Sequence, residues 1–306
     1  MGCIVSFPTS VEIPNPPITD YDFLCTTAKQ KLTKVPQLNT GNSFFYMDRS
    51  RRLWKMKKNP HKDELMSTYH NNFRAFLLPD TTLLLKPLGV FHVKPGLITI
   101  MMLRAQTDMF EMLQGNTDFE CIMNGLVQVS NAIAWLHEHG LAHRDIKPEN
   151  IVFHEGRFKL IDFDFCSPLE EFVHCGTEHY MCSKSTMRQW RGPQTMCSKR
   201  VDVHAFGKTI LFVLWHACRQ RVIPYDKRLY AMFHSTPVAR IELPEPWQHW
   251  LAVAVKCCSK IPPVKIPLLP LTIKNTLTAV NSIAIPTSVK VVDADPTFAE
   301  SAPFRF

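Results

Sequence analysis

The apolar positions of this chain fall into short runs of strand character and longer runs at helical spacing. Leu38 to Met47 reads as the start of a strand–turn–strand unit, with the turn over Asn39-Thr40-Gly41-Asn42-Ser43. A strand carrying Lys55, Lys57 and Lys58 should follow. From His61 to Leu78, Leu65, Tyr69, Phe73 and Phe76 recur at near-helical spacing and predict a helix. Leu83 to Val93 predicts a buried strand pair, and Leu97 to Leu103 one more strand. Ile122, Leu126, Val129, Ile133 and Leu136 form one face of a long amphipathic helix that starts near Glu120. Ile151-Val152-Phe153 and Phe158-Lys159-Leu160-Ile161 flank His154-Glu155-Gly156 as a short hairpin. Two further helices are expected at Ile210 to Cys218 and at Trp247 to Cys258. Beyond Pro270 the pattern is irregular and predicts only a tail. The longest tight apolar run, Ile210 to Trp215, is far short of the roughly eighteen residues that cross a bilayer.

Chemistry enters between the long helix and the hairpin. His143-Arg144-Asp145-Ile146-Lys147-Pro148-Glu149-Asn150 is followed twelve residues later by Asp162-Phe163-Asp164. Phosphoryl transfer needs little covalent help, so its catalysis is positioning plus charge neutralisation. In that logic Asp145 accepts or orients the proton of an attacking hydroxyl, and Lys147 neutralises the γ-phosphate. Asn150 and Asp162 supply the hard oxygen ligands that Mg²⁺ prefers. The two stretches resemble the H-R-D-x-x-x-x-N and D-F-G signatures of the eukaryotic-type protein kinase family. The resemblance spans about Leu38 to Pro270 and implies an α+β, bilobal fold, with a small β-rich N-lobe and a larger helical C-lobe. It implies ATP and Mg²⁺ as cofactors and protein substrates as partners. The expected division is an extension over 1–37, an N-lobe over 38–103, a C-lobe over 104–270 and a tail over 271–306. The pattern of losses set out below is similar to that of divergent kinases of large DNA viruses, herpesviruses among them.

Within that resemblance the nucleotide site falls on the first hundred residues. Of the usual glycine-rich loop only Gly41 remains, and Phe44-Phe45 stands where small residues are usual, which predicts a weakened phosphate grip. Three lysines compete for the nucleotide anchor. Strand side chains alternate, so the residue two before the anchor shares its face and roofs the adenine. For Lys55 that residue is Leu53; for Lys57 it would be Lys55, a charge against the base. Lys55 is therefore the expected anchor. Glu64 is the only glutamate available on the helix to pair with it, although it lies early. Met101 takes the gatekeeper place, and Leu103 and Arg104 line the hinge. Asp108 is placed either to bind the ribose hydroxyls or to cap the following helix.

The activation segment runs from Asp162 to about Lys184. Cys175-Gly176-Thr177-Glu178-His179-Tyr180-Met181 resembles the family's peptide-docking loop, in which Thr177 would bond Asp145 and Lys147. By the same resemblance, Lys147, with Thr177 in the docking loop, implies Ser/Thr specificity. Asp202-Val203-His204-Ala205-Phe206-Gly207 resembles the start of the central C-lobe helix, whose Asp holds the catalytic-loop backbone. His204 is expected to be a packed structural residue. Three departures stand out. Asp164 replaces the flip glycine, and the A-P-E stretch is replaced by Cys182-Ser183-Lys184, so packing should brace the C-lobe. The activation loop has Ser167 as its only hydroxyl between Phe165 and Cys175, and Glu170 and Glu171 are candidates to replace a phosphate on Arg144. The four groups of the transfer are all present, which favours an active enzyme over the alternative, a pseudokinase acting as a binding or scaffold module.

Charge and cysteine usage refine this little. The formal net charge of +8 favours acidic partners or an anionic membrane, and seven of the fourteen residues from Arg49 to Lys62 are Lys or Arg. No nucleic acid is specifically implied. The ten cysteines show no paired C-x-x-C spacing, as expected of a reduced intracellular chain. No signal-peptide pattern opens the chain, so a cytoplasmic location is expected, with the nucleus left open. Met1-Gly2-Cys3-Ile4-Val5-Ser6 fits the myristoylation pattern at Gly2, with Cys3 as a palmitoylation site that would make membrane attachment stable.

Overall fold

The protein is described here by a computed structural model that covers residues 32–59, 61–94, 96–115, 118–171, 173–234 and 241–269. Five strands, β1 (Thr33–Lys34), β2 (Ser43–Met47), β3 (Arg52–Lys58), β4 (Gly89–Lys94) and β5 (Leu97–Leu103), form an antiparallel sheet in the order β1-β2-β3-β5-β4. β3 lies at its centre and is buried on both faces. On one face Trp54 stacks with Phe91 and donates its indole N–H to Asp48. On the other, Leu53 and Lys55 follow each other at the two-residue strand period. Helix α1 (Lys62–Leu77) lays Leu65 and Tyr69 against Val90, Ile98 and Ile100, which forms the small core of this half. Phe76, expected in the same stripe, lies at the helix end and is exposed.

The strand pair expected over Leu83 to Val93 is a single strand. Pro87 has no N–H to give a ladder. The leucines before it turn their backbone elsewhere: Leu85 N–H donates to Leu160 O at 2.9 Å, and Leu160 N–H to Leu83 O at 3.1 Å. That apolar run therefore stitches the sheet half to the helical half.

The helical half comprises α2 (Met109–Gln114), α3 (Phe119–Glu138), α4 (Lys184–Met187), α5 (Gln194–Arg219), α6 (Lys227–His234) and α7 (Trp247–Cys257). Its core is contiguous. Leu126, Val129 and Ile133 of α3 meet Phe206, Ile210 and Leu214 of α5 and Trp247 and Trp250 of α7. Asp118 caps α3 by accepting from Cys121 N–H. Between α3 and α4 lie β7 (Leu141–Ala142), β8 (Ile151–His154), β9 (Arg157–Leu160) and β10 (Ser167–Pro168). β8 and β9 form a hairpin whose two turn residues, Glu155 and Gly156, both have positive φ (52° and 74°), the geometry that matches strand twist. β6 (Thr107–Asp108) pairs with β8, and β10 with β7.

The C-lobe brace differs from expectation, because hydrogen bonds to backbone join the packing. Trp190 Nε1 donates to Lys260 O at 2.9 Å, and Arg200 reaches Pro262 O at 3.0 Å and Arg191 O at 3.1 Å. Cys182, Met187, Trp190, Cys197 and Val201 form a satellite cluster beneath them. Among the described residues no helix is long and apolar enough to cross a membrane.

Candidate active site

The loop after β7 is held from below by a buried carboxylate. Asp202 Oδ1 accepts the N–H of Arg144 at 2.7 Å, and Oδ2 accepts the N–H of His143 at 2.9 Å and meets His137 Nε2 at 2.8 Å. Burial works against this carboxylate, yet the His137 contact and the other partners keep its pKa below the usual range. Arg144 stands at φ 69°, a left-handed backbone that these bonds maintain. Asp145 follows in the loop, buried. Its Oδ1 accepts from Thr177 N–H at 2.9 Å and from Thr177 Oγ at 2.7 Å. Its Oδ2 accepts from Asn150 Nδ2 at 2.8 Å and pairs with Lys147 Nζ at 3.1 Å. Lys147 Nζ also donates to Thr177 Oγ at 2.7 Å, which closes a ring of three side chains. Gly176 lets Thr177 come this close. It has φ 119°, and a Cβ there would lie 2.3 Å from Arg144 O.

The second half of the site joins the lobes. Asp162 (φ 62°) follows the hairpin and receives Lys55 Nζ on Oδ1 at 2.9 Å and on Oδ2 at 3.1 Å. Phe163 is buried against the His143 ring. Asp164 is buried as well. Its Oδ2 accepts from Lys55 at 3.0 Å and from Lys57 at 2.8 Å, and its Oδ1 accepts from Asn72 Nδ2 at 2.9 Å. Asn71 Nδ2 donates to Asp164 O at 2.8 Å. Burial alone would favour a neutral Lys55, but Asp162 and Asp164 outweigh it and raise its pKa above the ordinary lysine value. Burial likewise opposes the Asp164 charge, yet Lys55 and Lys57 hold that carboxyl well below the usual range. Asp162 is pushed up by burial and by Asp164, against the pull of Lys55.

The family model described as the protein kinase domain matches residues 54–255. The chain belongs to the protein kinase family. Three relatives illustrate how far it has diverged. A mouse dual specificity protein kinase TTK is 29% identical over 140 residues, covering 42% of this chain and 16% of that protein. An inferred serine/threonine-protein kinase of Acanthamoeba polyphaga mimivirus is 29% identical over 116 residues, or 36% of this chain and 39% of the relative. Human cyclin-dependent kinase-like 2 is 32% identical over 162 residues, 45% of this chain and 31% of the relative. The matched stretches thus cover less than half of each relative.

This kinase domain distributes the expected residues unevenly. Of the three candidate lysines, Lys55 reaches Asp162, Lys57 reaches Asp164, and Lys58 lies over the Phe44 ring. Leu53 is buried two residues before Lys55, on its face of β3. Met101 is half-buried, in register with Trp54 of β3 and Gly89 of β4, and Leu103 is exposed at the end of β5. Gly41 has φ 42°, with open space where a Cβ would stand. Asp108 acts as the cap: its Oδ1 accepts from Glu111 N–H at 2.8 Å, and burial pushes its carboxyl up to about 6. Gly2 and Cys3 lie outside the described residues.

Two expectations are corrected. Glu64 does not meet Lys55; it is exposed in the first turn of α1 and accepts from Asn59 Nδ2 at 2.9 Å, too near the helix start to face the cleft. Nor do the carboxylates of Glu170 and Glu171 sit on Arg144. The guanidinium Nη2 donates to the main-chain oxygens of Pro168, at 3.1 Å, and of Glu171, while the Glu171 carboxylate lies 3.8 Å from Arg74 of α1. Position-by-position reading missed Asp164, Lys57, Asn71 and Asn72 as one cluster. The available signal was joint: α1 carries no acid after Glu64, and an extra acid stands two residues after Asp162.

Proposed function

We propose that this chain is a serine/threonine protein kinase that transfers the γ-phosphate of ATP to protein hydroxyls, with Asp145 as base. The observation that supports it most is the ring of Asp145, Lys147 and Thr177 with Asn150 behind it, since each group already has the partner it needs. Asp145 Oδ1 and Oδ2 are oriented from both sides, so an incoming hydroxyl meets a fixed acceptor. Lys147 stands beside that acceptor, where it can neutralise charge on the transferred group.

The donor set also fits a magnesium site. Asn150 Nδ2 is committed to Asp145, which leaves its Oδ1 free to ligate, and the Asp162 carboxylate would be the second protein ligand. Among the described residues no group of three or more His, Cys, Asp or Glu could hold a metal. One carboxylate, one amide oxygen, phosphate oxygens and water are nevertheless the usual company of Mg²⁺ in phosphoryl transfer. Bound there, the ion would supply charge neutralisation on the phosphates.

The test is phosphate transfer to a peptide library by wild type and Asp145→Asn. Loss of the base should cost about 10²- to 10⁴-fold. Equal signals from the two proteins would leave the pseudokinase reading. Phosphoamino-acid analysis of the products checks specificity, since one relative is named as dual specificity; phosphotyrosine would refute the Ser/Thr assignment. Acylation at Gly2 and Cys3 is a separate proposal that rests on the sequence pattern alone. It predicts that Gly2→Ala releases the protein from membranes into the cytoplasm, and unchanged membrane attachment would remove it.

A further inference from the structure

Lys55 is a buried ammonium, and a buried charge is tolerated only with a partner. In the expected arrangement that partner is a helix glutamate, which leaves the metal-binding Asp free for the cation. Here α1 offers no such carboxylate, because its acids, Asp63 and Glu64, are both in the first turn. Were Asp162 the sole partner of Lys55, one carboxylate would have to serve both the lysine and the metal ion. The second carboxylate on Lys55 resolves that conflict. Asp164 Oδ2 lies 3.0 Å from Lys55 Nζ, and the Asp164 side chain is as buried as the lysine. Its backbone is not among the positive-φ residues, so the position does not use the freedom that glycine would provide.

From this geometry we propose that Asp164 is the positioning counter-ion of Lys55, with the carboxylate moved from helix α1 to the metal loop, and that Asn71 and Asn72 fasten α1 to it. Asp164 acts through Lys55 and does not itself touch the reacting atoms. The local charges then balance as two lysines, Lys55 and Lys57, against two carboxylates, Asp162 and Asp164. Asn72 bonds the Asp164 side chain and Asn71 its carbonyl, so the helix position follows the loop through neutral amides instead of a charge. Arg74 extends the connection, donating to Asn71 Oδ1 at 3.0 Å and facing Glu171 of the activation segment. A glycine at 164 would remove the carboxylate that Lys57 contacts and leave Lys55 on Asp162, the metal ligand.

The inference rests on the kinase reading for its rate measurements, and its test is built to separate the two. Asp164→Gly restores the usual family residue, Asp164→Asn keeps the shape without the charge, and Asp164→Gly/Asn72→Glu returns a carboxylate to the helix. Glutamate is one methylene longer than asparagine and would enter the space that Asp164 vacates. Each variant is assayed for kcat, KM for ATP, Mg·ATP affinity by titration of a fluorescent ATP analogue, and thermal melting. Both single variants should lose about tenfold or more in kcat/KM for ATP, with analogue affinity falling in parallel. The double variant should recover most of that loss while melting like Asp164→Gly, a rescue that a purely structural role would not produce. Wild-type kcat/KM and affinity in folded Asp164→Gly, or no rescue in a folded double variant, would overturn the proposal. If wild type transfers no phosphate, the kinase reading fails, and analogue affinity alone decides this one: a tenfold loss and its rescue support it, and unchanged affinity overturns it.

Discussion

Replacing Asp202 by Asn should loosen the catalytic loop more than any other single-atom change near it. The carboxylate is fully buried and accepts from two backbone N–H groups, one on each oxygen, as well as meeting His137. Asparagine has only one acceptor oxygen, so in either amide orientation its NH₂ faces a backbone N–H. One buried donor is left unpaired, at about 1–3 kcal/mol, and charge assistance is lost on the other, at about 1 kcal/mol more. The sum is about 2–4 kcal/mol, a large share of the roughly 5–15 kcal/mol that a domain possesses. For a domain of this size it corresponds to a fall in Tm of about 4–16 °C. Because the folded pKa of Asp202 lies below the unfolded value, its contribution is complete above about pH 4 and vanishes only as pH falls through the folded pKa. The comparison therefore belongs at neutral pH, by calorimetry or urea titration, with kcat measured on the still-folded variant. Arg144 and Asp145 hang from these bonds, so kcat should fall along with Tm. A variant that melts within about 2 °C of wild type and keeps its kcat would refute the reasoning.

Three other perturbations probe separate parts of the chain. Gly176→Ala places a Cβ 2.3 Å from Arg144 O at φ 119°, so Thr177 must retreat from Asp145, and single-turnover transfer should slow about tenfold or more. Glu170→Ala with Glu171→Ala should change the transfer rate by less than about threefold in steady-state assays, because Arg144 is held by main-chain oxygens and the contact with Arg74 is long and partly exposed. His204 is buried with no partner for either ring nitrogen among the described residues, and burial, then Lys208, lowers its pKa to about 4. Its folded pKa lies below the unfolded value of about 6.5, so stability should be lost as pH falls between the two, by up to about 3 kcal/mol. Denaturation across that window should show a shallower pH slope for His204→Phe.

The most legible parts of this chain were those where local physics and final role coincide. Leu97 to Leu103 was readable as a strand to the residue, and α3 to within one residue of its start, because the apolar period alone decides them. The catalytic loop was readable because its chemistry occupies eight neighbouring residues. Boundaries failed where backbone bonds go to distant partners. Nothing near Leu83 announces that it will accept from Leu160, and Arg144 takes main-chain oxygens that no side-chain count can anticipate.

The lysine's counter-ion was misread for a different reason: a position-by-position comparison assumes that each role stays at its place in the sequence. Electrostatics imposes a weaker condition, namely that a buried ammonium has a carboxylate within reach. That condition can be met from any element that borders the lysine. Here the helix carries no acid beyond its first turn and the loop beneath it carries an additional one, which the structure brings to 3.0 Å from Lys55. Taken separately, each change resembles decay, a missing helix glutamate and a missing flip glycine. Together they conserve the charge around Lys55, so loss of either family residue alone is poor evidence for a dead enzyme in this chain. The more informative measure of erosion is whether each buried charge still has its partner, and around Lys55 each one does.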